Sequence, residues 1–235
     1  MNRDNRRQKK KSTKKASKRK PQAASRRHGA SIPVPADARL ISYEITYEPL
    51  PEAAYDRLPE SVKDQLDRLH NELMAPNPKD RLAELLALIE RYPDVPQIYN
   101  FLYTTYERLN DQRNARRVLE ETLERFPDYL FGRIAYAAAC LQQGETEKVP
   151  EIFENCFELQ LLYPERQRFH ISEVLGFHSA MAWYFCVREE PDVAKRYYEL
   201  MRELEPDNPR TKFVKDLLRI SRLGVSLKQL LAKKT

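Results

Sequence analysis

Apolar residues recur every three to four positions from Pro59 almost to the end of the chain, a pattern that predicts a run of amphipathic helices. Val62, Leu66, Leu69 and Leu73 form one stripe, and Leu82, Leu85, Leu86 and Ile89 the next, with Pro76 and Pro78 breaking the chain between them. Ile98, Leu102 and Tyr106 then precede Ala115, Val118, Leu119, Thr122, Leu123 and Phe126. A further pair is expected over about 129–143 and 145–162, divided by Gly144, and another over about 171–189 and 191–205, with Pro191 in a first turn. Phe213, Val214, Leu217 and Leu218 mark a last helix, which Gly224 stops; Ser226 then caps a short piece from Leu227 to Lys233. Upstream the period changes to two. Ile41, Tyr43, Ile45 and Tyr47 alternate with Ser42, Glu44 and Thr46, which predicts a short extended segment lying against the helices or pairing with another chain.

The helices fall on a fixed spacing. Pro93-Asp94 and Pro127-Asp128 lie 34 residues apart, and Pro206-Asp207 follows 79 residues later. A shift of 79 superposes Ala115 on Ala194, Leu119 on Tyr198, Thr122 on Met201, Leu102 on Met181 and Tyr106 on Phe185. Two 34-residue units leave an excess of 11, which fits an insertion around Gln160–Ile171. Thirty-four residues is the length of a helix–turn–helix unit that stacks on its neighbours.

With a unit starting at Pro96, the chain places Tyr99, Leu102, Tyr106, Ala115, Leu119 and Pro127 at the large, small and proline positions of the tetratricopeptide repeat (TPR), and so resembles that family. A unit from Leu175 offers Met181, Ala182, Phe185, Ala194, Tyr198 and Pro206. Tyr103, Val149, Thr122 and Met201 depart from the pattern, so the repeats are degenerate. The resemblance implies an all-α, antiparallel helix-pair solenoid over residues 59–207 with a capping helix and tail at 208–235. An extended linker at 31–58 and a disordered polybasic tail at 1–30 would precede it. An irregular antiparallel bundle is the alternative reading.

Charge divides the chain in two. Residues 1–29 carry 13 Lys/Arg against one acid, Asp4, and the remainder carries 28 basic and 34 acidic side chains. Lys9, Lys10, Lys11, Lys14, Lys15, Lys18, Arg19 and Lys20 form a run suited to phosphate contacts on nucleic acid, nonspecific because no aromatic residue is interleaved for stacking. Solvation of the protein, or folding back on its acidic body, is the plainer account of the same run.

Chemistry-bearing patterns are sparse. Only five glycines occur and none builds a phosphate-cradling loop. His28, His70, His170 and His178 lack metal-ligand spacing, and Cys140, Cys156 and Cys186 lie on apolar faces, where cysteine packs as a small hydrophobe. No catalytic site, cofactor or metal is expected. No apolar leader follows the basic N-terminus and no uncharged 18-residue stretch occurs, so the chain is expected in the cytoplasm, or in a eukaryotic nucleus, without membrane insertion.

The resemblance also implies a concave groove lined by the first helix of each pair. It would present Gln97, Asn100, Thr104 and Glu107, then Phe131, Ile134, Ala138 and Leu141, then Gly176, Ser179, Trp183 and Cys186. Phe131, Ile134, Leu141 and Trp183 are expected to form an apolar trough for a peptide or helix of a partner protein. The chain's own 41–47 segment, or its capping helix, is the competing occupant. A non-catalytic adaptor is the first functional reading, and a nucleic-acid-associated protein the second.

Overall fold

The computed structural model describes residues 43–72 and 78–222. The basic run at 1–30, residues 31–42 and the final piece at 227–233 lie outside the described residues. The rest is mostly helical: α1 (Ala53–Asp56), α2 (Glu60–Glu72), α3 (Pro78–Arg91), α4 (Pro96–Arg108), α5 (Gln112–Arg125), α6 (Leu130–Gln142), α7 (Lys148–Ile152), α8 (Leu159–Leu162), α9 (Ile171–Val187), α10 (Pro191–Leu204) and α11 (Pro209–Arg222). Two three-residue strands, β1 (Glu44–Thr46) and β2 (Arg168–His170), interrupt the helices.

Local chemistry explains most boundaries. Pro96 and Pro191 occupy first-turn positions of α4 and α10, where the missing N–H breaks no bond. The Asp111 carboxylate caps α5 by accepting from the Asn114 N–H at 3.1 Å. A capping box starts α9. His170 Nδ1 accepts from the Ser172 N–H at 3.2 Å, and Glu173 Oε2 accepts from the His170 N–H at 2.9 Å.

The spacing read from the prolines returns in backbone geometry. Asn110, Gly144 and Glu189 all have positive φ (56°, 80° and 64°) and end α4, α6 and α9. After each, an N–H bonds back to a carbonyl five residues earlier: Asp111 to Tyr106, Glu145 to Cys140, Glu190 to Phe185. These closures are separated by 34 and then 45 residues, the second being one unit plus the excess of 11. The corners repeat as well, since Tyr99 Oη donates to the Pro93 carbonyl at 3.1 Å and Arg133 Nε, 34 residues on, donates to the Pro127 carbonyl at 2.6 Å.

Helices adjacent in sequence pack together: α3 on α4, α4 on α5, α5 on α6, α6 on α7, α9 on α10 and α10 on α11. Contacts of α4 with α6, α6 with α9 and α9 with α11 add a second line of neighbours. Buried apolar residues gather in two clusters. One joins Leu58, Leu66, Leu69, Leu85, Ile98, Tyr99 and Val118; the other joins Leu130, Ala137, Leu141, Val149, Phe177, Met181, Ala194 and Val214.

Two expectations need correction. The helix expected over 145–162 stops at Ile152, because Glu154 and Asn155 adopt positive φ (53° and 59°) and turn the chain. The stretch from Phe153 to His170 is not simply a polar loop. It contains α8 and then β2, which pairs in parallel with β1: Glu44 opposite Arg168, Ile45 opposite Phe169, Thr46 opposite His170. The extended segment thus lies on the helical body. Tyr43 and Ile45 pack against the second cluster, with the Tyr43 and Phe169 rings edge to face at 5.0 Å.

Candidate functional site

Two cavities draw on the residues expected to line a groove. The smaller, of about 280 Å³, lies between α6, α9 and α11, and includes Ile134, Gly176, Ser179, Trp183, Arg210 and Phe213 in its wall. Gly176 gives this site its shape. A Cβ there would meet Ile134 Cδ1 at 3.0 Å and Arg210 Nη1 at 3.7 Å, so its absence lets α6 seat Ile134 against α9 beneath the Arg210 head group. Trp183 is half-buried, and its ring meets Phe213 of α11 edge to face at 5.1 Å. Its indole N–H is buried and has no hydrogen-bond partner among the described residues.

Arg210 is solvent-exposed as a residue, and makes no ion pair among the described residues. The crowding of its groove position lowers its pKa by desolvation, opposed by the Tyr103 phenol of α4. Tyr103 is in turn raised chiefly by burial, with Glu107 adding to the rise and Arg210 reducing it.

The expected groove residues therefore separate. Ile134 and Trp183 share the small cavity, as do Ala138, Gly176 and Ser179. Phe131 does not join them; it packs beside Tyr129, ring centroids 5.8 Å apart, in the wall of the second cavity. Leu141 is fully buried within the second cluster and lines no groove, because α7 and α9 both pack on α6. Asn100, Thr104 and Glu107 are partly buried on α4, where the Thr104 hydroxyl donates to the Asn100 carbonyl at 2.9 Å. Of the two competing occupants, the capping helix α11 reaches the trough and the described part of the 41–47 segment does not line it. Residues 44–46 pair with β2, Tyr43 and Ile45 pack on the second cluster, and Tyr47 is exposed, while α11 covers Trp183 with Phe213 and forms one wall of the cavity.

The second cavity, about 810 Å³, takes Gln97 and Phe131 from the expected groove residues, but the segment that closes it was not legible from the sequence. It forms where the segment at 49–52 passes over the starts of α4, α6 and α9, bringing Glu52, Gln97, Tyr129 and Glu173 to one cleft. Glu52 is raised mainly by burial, with the Glu173 charge adding and the Gln97 amide opposing. Glu173 is held by Arg166 at 2.8 Å, and burial raises the Tyr129 phenol. These residues lie up to 121 positions apart in the chain, so no local signal joins them.

Among the described residues no group of three or more His, Cys, Asp or Glu side chains is placed to hold a metal ion. Cys140 and Cys186 are buried thiols pushed up to about 11 by desolvation, and Cys156 is half-buried. His178 is packed between Phe177 and Tyr197, its ring pushed down to about 3 by burial. Among the described residues, no helix is long and apolar enough to cross a membrane. No known protein family, curated protein or solved structure matches this chain.

Proposed function

We propose that the chain is a non-catalytic, TPR-like scaffold whose stacked helix pairs hold a segment of a partner protein. The recurrence of left-handed closures at Asn110, Gly144 and Glu189 supports the repeat reading, since equivalent units need equivalent corners. One observation carries the binding reading: among the described residues a trough remains at Ile134, Gly176 and Trp183 with the strand segment and α11 in place.

Affinity capture with the full chain, compared with Ile134→Ala and Trp183→Ala, tests this function. Capture of a nuclease-resistant partner should fall in both variants at a temperature where both stay folded, Ile134→Ala costing about 2–5 kcal/mol of stability because Ile134 is nearly fully buried. Loss of stability with capture intact would assign the two residues to the core and remove the binding reading.

The charge division supports a second reading, in which residues 1–29 contact nucleic acid and the helical body selects a location. A salt titration of filter binding, with and without residues 1–29, tests it. Equal binding by both forms would take the tail out of the account.

A further inference from the structure

We infer that the trough takes an acidic amphipathic segment, with its apolar face against Trp183 and Phe213 and a Glu or Asp side chain on Arg210. The inference rests on the binding reading above and names the chemistry of its partner.

Three observations point the same way. First, α11 is a basic helix on an acidic body: Arg210, Lys212, Lys215, Arg219 and Arg222 against Asp216 alone. Lys212 and Arg219 have carboxylate partners, Asp207 at 3.2 Å and Asp216 at 3.6 Å, whereas Arg210, at the cavity edge, has none among the described residues. A guanidinium at the cavity edge with no carboxylate partner among the described residues favours an incoming carboxylate.

Second, the walls beside Arg210 are apolar. Phe213 is 39% exposed, one of four large hydrophobics so exposed among the described residues, and lies one helical turn from Arg210. A helix or extended segment with alternating acidic and apolar positions matches that spacing of cation and ring.

Third, the Trp183 indole N–H is buried beside Phe213 without an acceptor among the described residues. Because Phe213 keeps solvent contact, it can swing aside as a ligand enters, and a ligand oxygen then reaches the indole. Nucleic acid fits less well, since phosphate recognition gains nothing from Ile134, Ala138 and Phe213, and the Trp183 ring is already edge-packed.

The test uses the full chain and a labelled helical peptide of about 16 residues with Leu at i, i+3 and i+7 and flanking Glu. Versions with Gln or Lys in place of Glu serve as comparisons, all read by fluorescence anisotropy. The Glu peptide should bind roughly tenfold tighter than the Gln peptide and tighter still than the Lys peptide. Arg210→Gln should shrink that advantage to within about twofold without moving the melting temperature, and Arg210→Lys should restore part of it.

Equal binding of Glu and Gln peptides overturns the inference and leaves the groove reading standing. So does failure of every peptide while Trp183-dependent partner capture persists; failure of both removes both. Displacement of the Glu peptide by poly(U) through Arg210 overturns it in favour of nucleic acid. Binding of the Glu peptide only to Asp37→Asn overturns it in favour of the chain's own 31–42 segment.

Discussion

The two ends of the molecule are built differently. The first cluster, from Leu58 to Val118, is drawn from consecutive helices α2 to α5 and a few flanking residues, so its contacts are local in sequence. The second, from Leu130 to Leu218, also takes in Phe169 of the insertion and Tyr43 and Ile45 of the strand segment. Between them Ala115, Leu119 and Cys140 are buried yet belong to neither cluster. Two features bridge that junction. The Arg116 guanidinium lies over the Tyr136 ring at 4.4 Å and pairs with Glu145 at 3.0 Å, and Gly132 admits Thr122 Cγ2 within 3.0 Å of where its Cβ would be. Two apolar clusters separated by this mixed junction should respond to perturbation as two bodies.

Core truncation gives the largest expected effect. Leu69→Ala and Met181→Ala each remove a side chain with no solvent exposure and should cost about 2–5 kcal/mol. Native-state hydrogen exchange checks the division: Leu69→Ala should raise exchange in α2–α5 and spare α9–α11, and Met181→Ala the reverse. Global exchange in both variants would dissolve the comparison.

The junction comes next. Arg116→Ala leaves Glu145 and Tyr136 without their shared partner and should cost about 2 kcal/mol. Calorimetry should then resolve two transitions where the parent shows fewer.

Acidity should separate the regions more gently, since the second holds two buried titratable groups of opposite sign. His178 falls from 6.5 to about 3, so the unfolded chain binds the extra proton and stability falls as pH drops through that window. The slope is at most about 1.4 kcal/mol per pH unit. Glu158 rises from 4.5 to about 7, again by burial, so its contribution is present below 4.5 and is lost as pH rises through 7. The two oppose each other between about 4.5 and 6.5. Denaturation of His178→Leu across this range should therefore reveal stability falling with pH, and Glu158→Gln stability rising with it; identical profiles would remove both groups from the account.

Smallest is the surface tie on the strand pair. Glu44 and Arg168 are both exposed at 2.9 Å, and Glu44→Ala should cost less than about 1 kcal/mol, measured by chemical denaturation.

Much of the helical pattern was legible because each helix carries its own period and stop. Pro96, Gly144 and Pro191 set boundaries within a residue or two of their positions, whereas the Asp111 cap was not read. The end of α7 was not legible, since Val149, Phe153 and Phe157 keep a helical spacing that the left-handed turn at Glu154 and Asn155 overrides. The partner of β1 was not legible either, because alternation over three residues says that a strand exists and nothing about a mate 124 positions away. Of the site, Ile134 and Trp183 line one cavity. Leu141 fails because repeat position fixes a face on an ideal helix pair, and here the shortened α7 and the long α9 enclose that face. Arg210 lay in a segment read only as a cap, and the sign of its surroundings emerges only when α9 is beside it.

The parallel pairing of β1 with β2 also sets a route for mechanical load. Residues 1–42 join the body at Tyr43, directly ahead of a strand held beside Arg168–His170, and β2 runs straight into α9. A pull on the N-terminal arm draws β1 toward its start while α9 anchors β2 at its end, so the ladder resists in shear, its bonds sharing the force. Whatever the arm is tethered to would thus tug first on the helix that carries Trp183.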